Sequence, residues 1–341
     1  MASALPSSTT KLRLPDAVTH DLSVVVVSYN TREMTLACVR SVLEHKGALS
    51  VEVIVVDNQS SDGSSAALRD AFPDITVIDA PANGGFAYGN AIGFEQAHGR
   101  YVLLLNPDTQ VYAGGLEDSI AYMEENPQTA IMGPLVRLED GSQQSSMIRF
   151  LSLTALASSI VIPNRWLRKT TWFGDIRYAD HSRAEVNRVD AVSGCFMMVR
   201  REVLAKVGGL DTRFFMYGEE TEWCHRIRAV RWEIEYNPAV EILHHGAAST
   251  EHMSAWKAVE MARGQLLFLR FTRGAGIAWF AALLMTLRDL LRAPAFIALA
   301  LVGRAKRAET WWARLRFVLK SLISLPKGQS ITLPQPGDVA K

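Results

Sequence analysis

Four consecutive valines, Val24–Val27, sit inside the stretch LSVVVVSYN (22–30) with no polar residue between them. A strand with one wet face alternates apolar and polar side chains. An unbroken β-branched run is the pattern of a strand buried on both faces. Such a strand needs helices above and below it, so this feature points to an α/β architecture. The following residues keep the rhythm. TREMTLACVRSVLEH (31–45) places Met34, Cys38 and Val42 at helical spacing, and VEVIVVDN (51–58) is a second buried strand. SSDGSSAALRDAF reads as a helix start with Ser or Asp before it, ITVID (75–79) as a third strand, and NGGFAYGNAIGFEQAHG (83–99) as a glycine turn entering a helix. RYVLLLNPDTQV (100–111) is a fourth strand ending in a polar turn, and GGLEDSIAYMEENP (114–127) another helix. The expected fold is a mostly parallel sheet flanked by helices, with ligands at the carboxyl ends of its strands.

The regularity then changes. Residues 134–188 hold a hairpin or loop, PLVRLEDGSQQSS, and then an irregular, partly mobile segment. Pattern returns at VDAVSGCFMMVRREVLAKVGGLD (189–211), a strand and short helix, and WEIEYNPAVEILHHG (232–246) reads as two short strands. The division expected is a loose leader (1–21), an α/β domain (22–255) and a helical C-terminal region (256–341). The leader lacks the apolar core of a signal peptide.

With 341 residues, 48% apolar and 21% charged, the chain has the composition of a globular protein with a full core. Its net charge of +1 conceals an asymmetry: residues 256–341 carry +10 and residues 1–255 carry −9. The tail is expected to meet something anionic that the body does not. The three cysteines, Cys38, Cys195 and Cys224, are too few and too scattered for a disulfide framework, which suits a reducing compartment.

Polar residues close three of the strands: Ser28-Tyr29-Asn30, Asp57-Asn58 and Asn106-Pro107-Asp108. Each alone is ordinary turn chemistry. All three at successive strand ends suggest a cleft. Asp57 is placed to accept from a base N–H or a ribose hydroxyl. Asp108 is placed to hold a hard divalent cation, Mg²⁺ or Mn²⁺, against two phosphates, with Asn106 as a further oxygen ligand or water-mediated contact. The glycine turn at Asn83-Gly84 lets backbone approach a ligand closely. It is not GxGxxG, and the first βα turn, SYNTRE, contains no glycine, which weighs against a nicotinamide enzyme.

FFMYGEETEWCHRIR (214–228) crowds three carboxylates behind an aromatic run. Phe214–Tyr217 is expected to be extended and buried, with Gly218 turning the chain into a helix. Glutamates in a first turn complement the helix dipole, and Glu222 reads as the i,i+4 partner of Arg226 on a solvated face. Glu219 and Glu220 differ because the aromatic segment aims them, so either could serve as a general base. His244-His245 stand at a strand end, and alternation allows only one to face the cleft. A zinc reading would pool Cys195, Cys224, His225, His244, His245 and His252, but no structural zinc spacing appears.

Taken in order, VVVVSYN, VIVVDNQSSDGS, NGGFAYGNAIG, YVLLLNPDT, SGCFMMVRREV, FFMYGEETEWCHRIR and HHGAAS resemble glycosyltransferase family 2, in particular its rhamnosyltransferase-like branch, over roughly residues 22–250. The resemblance implies a GT-A fold and inverting transfer from a nucleotide-activated sugar. By similarity, Asp57 contacts the nucleoside, with Ser28, Tyr29 and Asn30 nearby. Asn83, Gly84, Asn90 and Asn106 join the nucleotide-sugar site, Asn106 and Asp108 stand in for the metal-binding DxD motif, and His244 assists the metal. The family's Glu-Asp pair falls on Glu219-Glu220, which makes Glu220 the base, with Glu in place of the commoner Asp. Glu222-Trp223 replaces a smaller acidic-aliphatic pair.

The expected donor is a dTDP- or UDP-sugar carrying rhamnose or a related hexose, and the acceptor a lipid-linked or cell-envelope glycan; no nucleic acid is expected. A binding module that holds nucleotide sugar or polysaccharide without turnover is the alternative. The basic C-terminal helices, with Trp279, Trp311 and Trp312, read as an interfacial anchor on an anionic leaflet. Packing on the domain or on a second subunit is the competing account. Their longest uncharged runs, Gly274–Leu287 and Ala293–Gly303, fall short of the ~20 residues that span a bilayer. The expected location is cytoplasmic, peripheral on the inner face of the membrane.

Overall fold

The computed structural model describes residues 12–161, 183–246, 254–302 and 305–325. The notional leader before residue 12, residues 162–182 of the segment expected to be irregular and the GAAS that follows His245 except its glycine lie outside the described residues; the irregular segment otherwise includes a helix, Leu153–Val161.

The valine run becomes β1 (His20–Ser28), which starts two residues earlier than expected. It lies between β2 (Val51–Asp57) and β4 (Gly99–Leu105), parallel to both, and β3 (Thr76–Asp79) adds to β2, again in parallel. Val24, Val25 and Val26 have no exposed surface, as a strand covered on both faces requires. Helix α1 (Arg32–Glu44) buries Cys38, Val39 and Val42, and with α2 (Ser64–Ala71) and α3 (Gly85–Phe94) supplies the crossovers of the parallel half.

Beyond β4 the sheet turns mixed. After β5 (Thr109–Val111) and helix α4 (Gly115–Glu125) comes β6 (Thr129–Arg137), which returns as a hairpin to β7 (Gln143–Gln144). β8 (Met147–Ile148) pairs with β10 (Ala191–Val192) in a separate ribbon, and β9 (Asn187–Arg188) edges the main sheet. β11 (Phe196–Arg200) runs antiparallel between β4 and β6, and α6 (Arg201–Val207) follows it. The stretch read as two strands is one, β12 (Glu233–His244). Its register shifts between Asn237 and Glu241, around Pro238, so the missing proline N–H is absorbed by an irregularity rather than by a break. The main order is β3-β2-β1-β4-β11-β6-β12-β5.

The chain divides into two compact units. The first holds the sheet and α7 (Glu219–Ala229). The second holds α5 (Leu153–Val161), Met216–Gly218 and four C-terminal helices: α8 (Ser254–Arg273), α9 (Ala275–Leu291), α10 (Ala293–Leu301) and α11 (Ala305–Ser324). No described helix is long and apolar enough to cross a membrane.

Candidate active site

Parallel register brings the strand ends level. Ser28 pairs with Asp57 and Asp57 with Asp79, while Val26 lies beside Leu105, so Asn106–Asp108 follow at the same rim. The turn after β1 and the loop after β2 are laced together. The Asn30 N–H donates to the Ser60 hydroxyl (2.9 Å), and the Ser61 N–H donates to Asn30 Oδ1 (2.7 Å). Asn30 adopts a left-handed φ of 51°, which asparagine tolerates. Tyr29 is exposed at this rim. Ser28 is fully buried, with its hydroxyl shared with Thr31 and Thr35, so the side chain supports the turn and leaves only backbone for a ligand.

Buried oxygens without a protein hydrogen-bond partner gather here: Asp57 Oδ2, Asn58 Oδ1, Asn90 Oδ1, Asp108 Oδ1 and Thr109 Oγ1. Each such group costs about 1–3 kcal/mol when left unsatisfied, so a cluster of them marks a place built for a polar ligand. Asp57 is 3% exposed; its Oδ1 accepts the Ser60 N–H at 2.6 Å, which fixes the carboxylate and leaves Oδ2 over. Asn58 donates to the Gly85 carbonyl (2.9 Å), and Asn90 donates to that of Phe86 (2.9 Å). Asn106 is tied by its backbone to the Cys195 carbonyl and the Thr109 N–H.

Asp108 and His244 meet because β5 pairs antiparallel with β12, which sets Thr109 opposite His244. His244 Nε2 lies 3.2 Å from Asp108 Oδ1, off the line of a hydrogen bond, so the close contact leaves that oxygen unbonded. On the far side of the ring, Nδ1 is 2.8 Å from Gln144 Oε1. A proton on Nδ1, directed at that amide oxygen, would leave Nε2 with a lone pair beside the carboxylate. Two acceptors facing each other fit a cation shared between them, and a second-shell amide that orients a ligating histidine completes that pattern. His245 turns the other way, to Glu139 Oε1 (2.5 Å) and the Gln110 side chain (3.0 Å), as alternation requires.

The glycine turn is pinned to the segment that precedes α7. Phe86 N–H donates to the Phe215 carbonyl (2.9 Å), and Gly85 has φ +84°. A Cβ on Gly85 would stand 2.0 Å from that carbonyl, so only glycine fits. Asn83 Oδ1 accepts the Gly85 N–H (3.2 Å), and Gly84 packs on the Tyr88 ring. The run Phe214–Tyr217 is not the extended, buried segment expected. Only Phe214 is buried, and the chain bends through Tyr217 (φ 67°) and Gly218 (φ +100°). Bending lets a short segment deliver Glu219 and Glu220 to the first turn of α7. Glu219 is buried and Glu220 half-buried.

The Glu222–Arg226 pair forms as spaced, but its face is not solvated. Arg226 Nε bonds both Glu222 oxygens (2.8 and 2.9 Å), and its other nitrogens bond the Val207 and Gly209 carbonyls. Trp223, fully buried, donates to the Gly208 carbonyl. Both residues clamp the turn after α6. Burial raises the Glu222 carboxyl above its ordinary range against the opposing pull of Arg226.

The three cysteines are free and buried. Burial pushes the Cys195 thiol up to about 12; a Ser193 hydrogen bond opposes this, and the Asp108 charge adds to it. Burial also raises Cys38 and Cys224. Neutral thiols are poor metal ligands. No group of three or more His, Cys, Asp or Glu gathers among the described residues, and His252 lies outside them. Reading the sequence did not single out Gln144 or Thr109. Asn58 was visible as a strand-end residue, whereas Gln144 carries no local signal.

Comparison with known proteins agrees with this fold. Residues 23–208 match the profile of Glycosyl transferase family 2. The N-acetylglucosaminyl-diphospho-decaprenol L-rhamnosyltransferase of Mycobacterium tuberculosis is 30% identical over 80% of this chain and 91% of its own length. The rhamnosyltransferase WbbL of Escherichia coli is 26% identical over 65% of this chain and 82% of its own. Among solved structures, the mannosyltransferase PcManGT from Pyrobaculum calidifontis, in complex with GDP-Man and Mn²⁺, superposes with a TM-score of 0.56 over 93% of this chain and 90% of that one. At 16% identity it speaks for the fold alone. The sheet is thus of GT-A type, and the chain belongs to glycosyltransferase family 2, in its rhamnosyltransferase-like branch, and is a glycosyltransferase.

Proposed function

We propose that the protein is an inverting, metal-dependent transferase that moves rhamnose or a related hexose from a nucleoside-diphosphate donor to a lipid-linked or cell-envelope glycan. The observation that carries this reading is the buried Asp108 Oδ1, unbonded and 3.2 Å from His244 Nε2. These two residues would hold Mg²⁺ or Mn²⁺, whose charge offsets that of the departing diphosphate. Two protein ligands suit an ion that keeps other positions for phosphate oxygens and water. The Pyrobaculum mannosyltransferase with its Mn²⁺ and nucleotide sugar supports this by fold, and the mycobacterial relative, named for a diphospho-decaprenol acceptor, supports the lipid-linked glycan.

Within this reading Asp57 Oδ2 accepts from the nucleoside, the laced turn at Tyr29 and Asn30 borders it, and Asn83, Gly84, Asn90 and Asn106 line the sugar and phosphate side. Glu220 takes the proton of the acceptor hydroxyl, because it is more open than Glu219. The hydroxyl oxygen bonds to the anomeric carbon as the bond to the diphosphate oxygen breaks on the opposite face, so configuration inverts in one displacement. A retaining hydrolase would need two carboxyls about 5 Å apart astride the bond.

The test is donor hydrolysis on a panel of dTDP-, UDP- and GDP-sugars. Release of one nucleoside diphosphate, lost with EDTA and in Asp108→Ala, is expected. Release that survives both would remove the metal from the account. Nucleotide-sugar binding by calorimetry without turnover, with acceptor glycolipid present, would favour the non-catalytic alternative.

The C-terminal unit extends the reading to the acceptor's surroundings. The exposed stripe of α9 is Trp279, Phe280, Leu283, Leu287 and Leu290, apolar throughout, while its opposite face buries Ala278, Ala281, Ala282 and Met285 together with Thr286 and Asp289. A surface helix in water carries polar residues on its outer face, and this one does not. An outward apolar stripe beside basic helices suits a peripheral seat on an anionic leaflet at the inner face of the cell membrane. Vesicle flotation tests this; a protein that stays with the aqueous phase would count against it.

A further inference from the structure

Within the C-terminal unit a trench of about 330 Å³ is floored by Ala258, Phe296 and Trp311 and rimmed by Lys306, Arg307 and Arg314. Phe296 and Trp311 stack, with ring centroids 5.5 Å apart and planes 12° from parallel. The Trp311 N–H donates to the Asp289 carbonyl at 3.0 Å, which fixes the floor. Two carboxylates belong to α9, α10 and α11, the exposed Glu309 on α11 and Asp289 on α9. Asp289, fully buried, is the carboxylate that Arg288 and Arg314 share. Burial, with the Arg314 charge second, holds both Arg288 and Arg292 below the usual guanidinium range. Three guanidiniums therefore crowd one carboxylate. Lys306 and Arg307, both exposed, have no acidic partner among the described residues. Beside the floor, Ile297, Leu301 and Trp312 are 55%, 83% and 51% exposed.

We propose that this trench is a binding site for the phosphate of an anionic lipid head, with the first carbons of the lipid on the aromatic floor. Cations without counter-charge recognise the phosphate. The stacked rings and the exposed Ile297, Leu301 and Trp312 offer apolar surface to the attached chain, which a free phosphate or a nucleotide would not use. The proposal deepens the membrane reading above and rests on it.

Two double variants of the full chain separate a built site from diffuse attraction. Lys306→Gln with Arg307→Gln removes two charges at the trench. Arg316→Gln with Lys320→Gln removes two exposed charges from the same helix away from it. Sedimentation with phosphatidylcholine vesicles, with and without phosphatidylglycerol, reads both. Diffuse attraction weighs all surface cations alike, whereas a site predicts that the trench pair loses roughly tenfold more affinity for the anionic vesicles than the control pair. Neutral vesicles should bind the unchanged protein and both variants alike. Equal losses in the two variants would overturn the site and leave the membrane reading standing. An unchanged protein that ignores both vesicles would overturn the two together. Titration calorimetry with water-soluble short-chain phosphatidylglycerol should give one site, lost in the trench pair. Inorganic phosphate that binds as tightly as that lipid would overturn the lipid assignment.

Discussion

Asp108 and Asp289 are both buried carboxylates, and their surroundings are opposite. Asp108, at the rim of the sheet, keeps an oxygen without a hydrogen bond and faces a histidine nitrogen. Asp289, inside the helical unit, is gripped by Arg288 and Arg314 and lies beneath a surface of exposed leucines and tryptophans. In the sheet unit, polar groups lie in the interior without partners; in the helical unit, apolar groups lie outside without cover. Folding alone favours neither arrangement. Each departure has the polarity of what it is suited to receive, a charged small molecule in one case and an apolar phase in the other.

The comparison breaks first if the two aspartates behave alike. Asp108→Ala should lower donor turnover by about a thousandfold while the melting temperature holds or rises, because an unsatisfied buried group is removed. A steep fall in melting temperature would make Asp108 a structural residue. Asp289→Ala should do the reverse: it strands two guanidiniums and should cost about 3–5 kcal/mol of stability, read by denaturant unfolding, with donor hydrolysis intact in whatever fraction stays folded. Next in size, Glu220→Gln should reduce transfer by about a hundredfold or more with nucleotide binding kept. Loss confined to Glu219→Gln would pass the base role to its neighbour.

On the helical side, Leu283→Ser with Leu287→Ser should leave the melting curve in place and weaken vesicle binding by roughly tenfold per residue. Unchanged binding would mean that the stripe does not enter the bilayer. The smallest effect concerns Glu260, buried in α8, whose carboxyl burial raises despite Arg263 at 3.4 Å. A folded-state value above the unfolded one means the native protein binds more protons between the two, so stability falls as pH rises through that window. Glu260→Gln should flatten that part of the profile in thermal melts; an unchanged slope would place the titration elsewhere.

The parallel half of the fold was legible because its signals are local. Buried valine runs, helical spacing and polar strand ends each lie within a dozen residues, and parallel register then brings Ser28, Asp57 and Asn106 to one rim. The meeting of Asp108 with His244 was legible only through family resemblance. What joins Asp108 to His244 is a three-residue strand paired with one that begins far along the chain, and nothing local marks that pairing. Glu222 and Arg226 illustrate a different limit. Their spacing makes them neighbours on a helix, but whether that face meets water or the turn at Val207–Gly209 depends on what packs against it.

The same distinction separates the two units. Order along the chain and residue type were enough for the α/β class, the family and the catalytic candidates, since these rest on short-range pattern and composition. Which oxygens are left without partners, which histidine turns inward, and which stripe of α9 faces outward were decided by tertiary packing. Burial is a property of neighbours distant in sequence, and a residue's chemistry depends on whether those neighbours satisfy it.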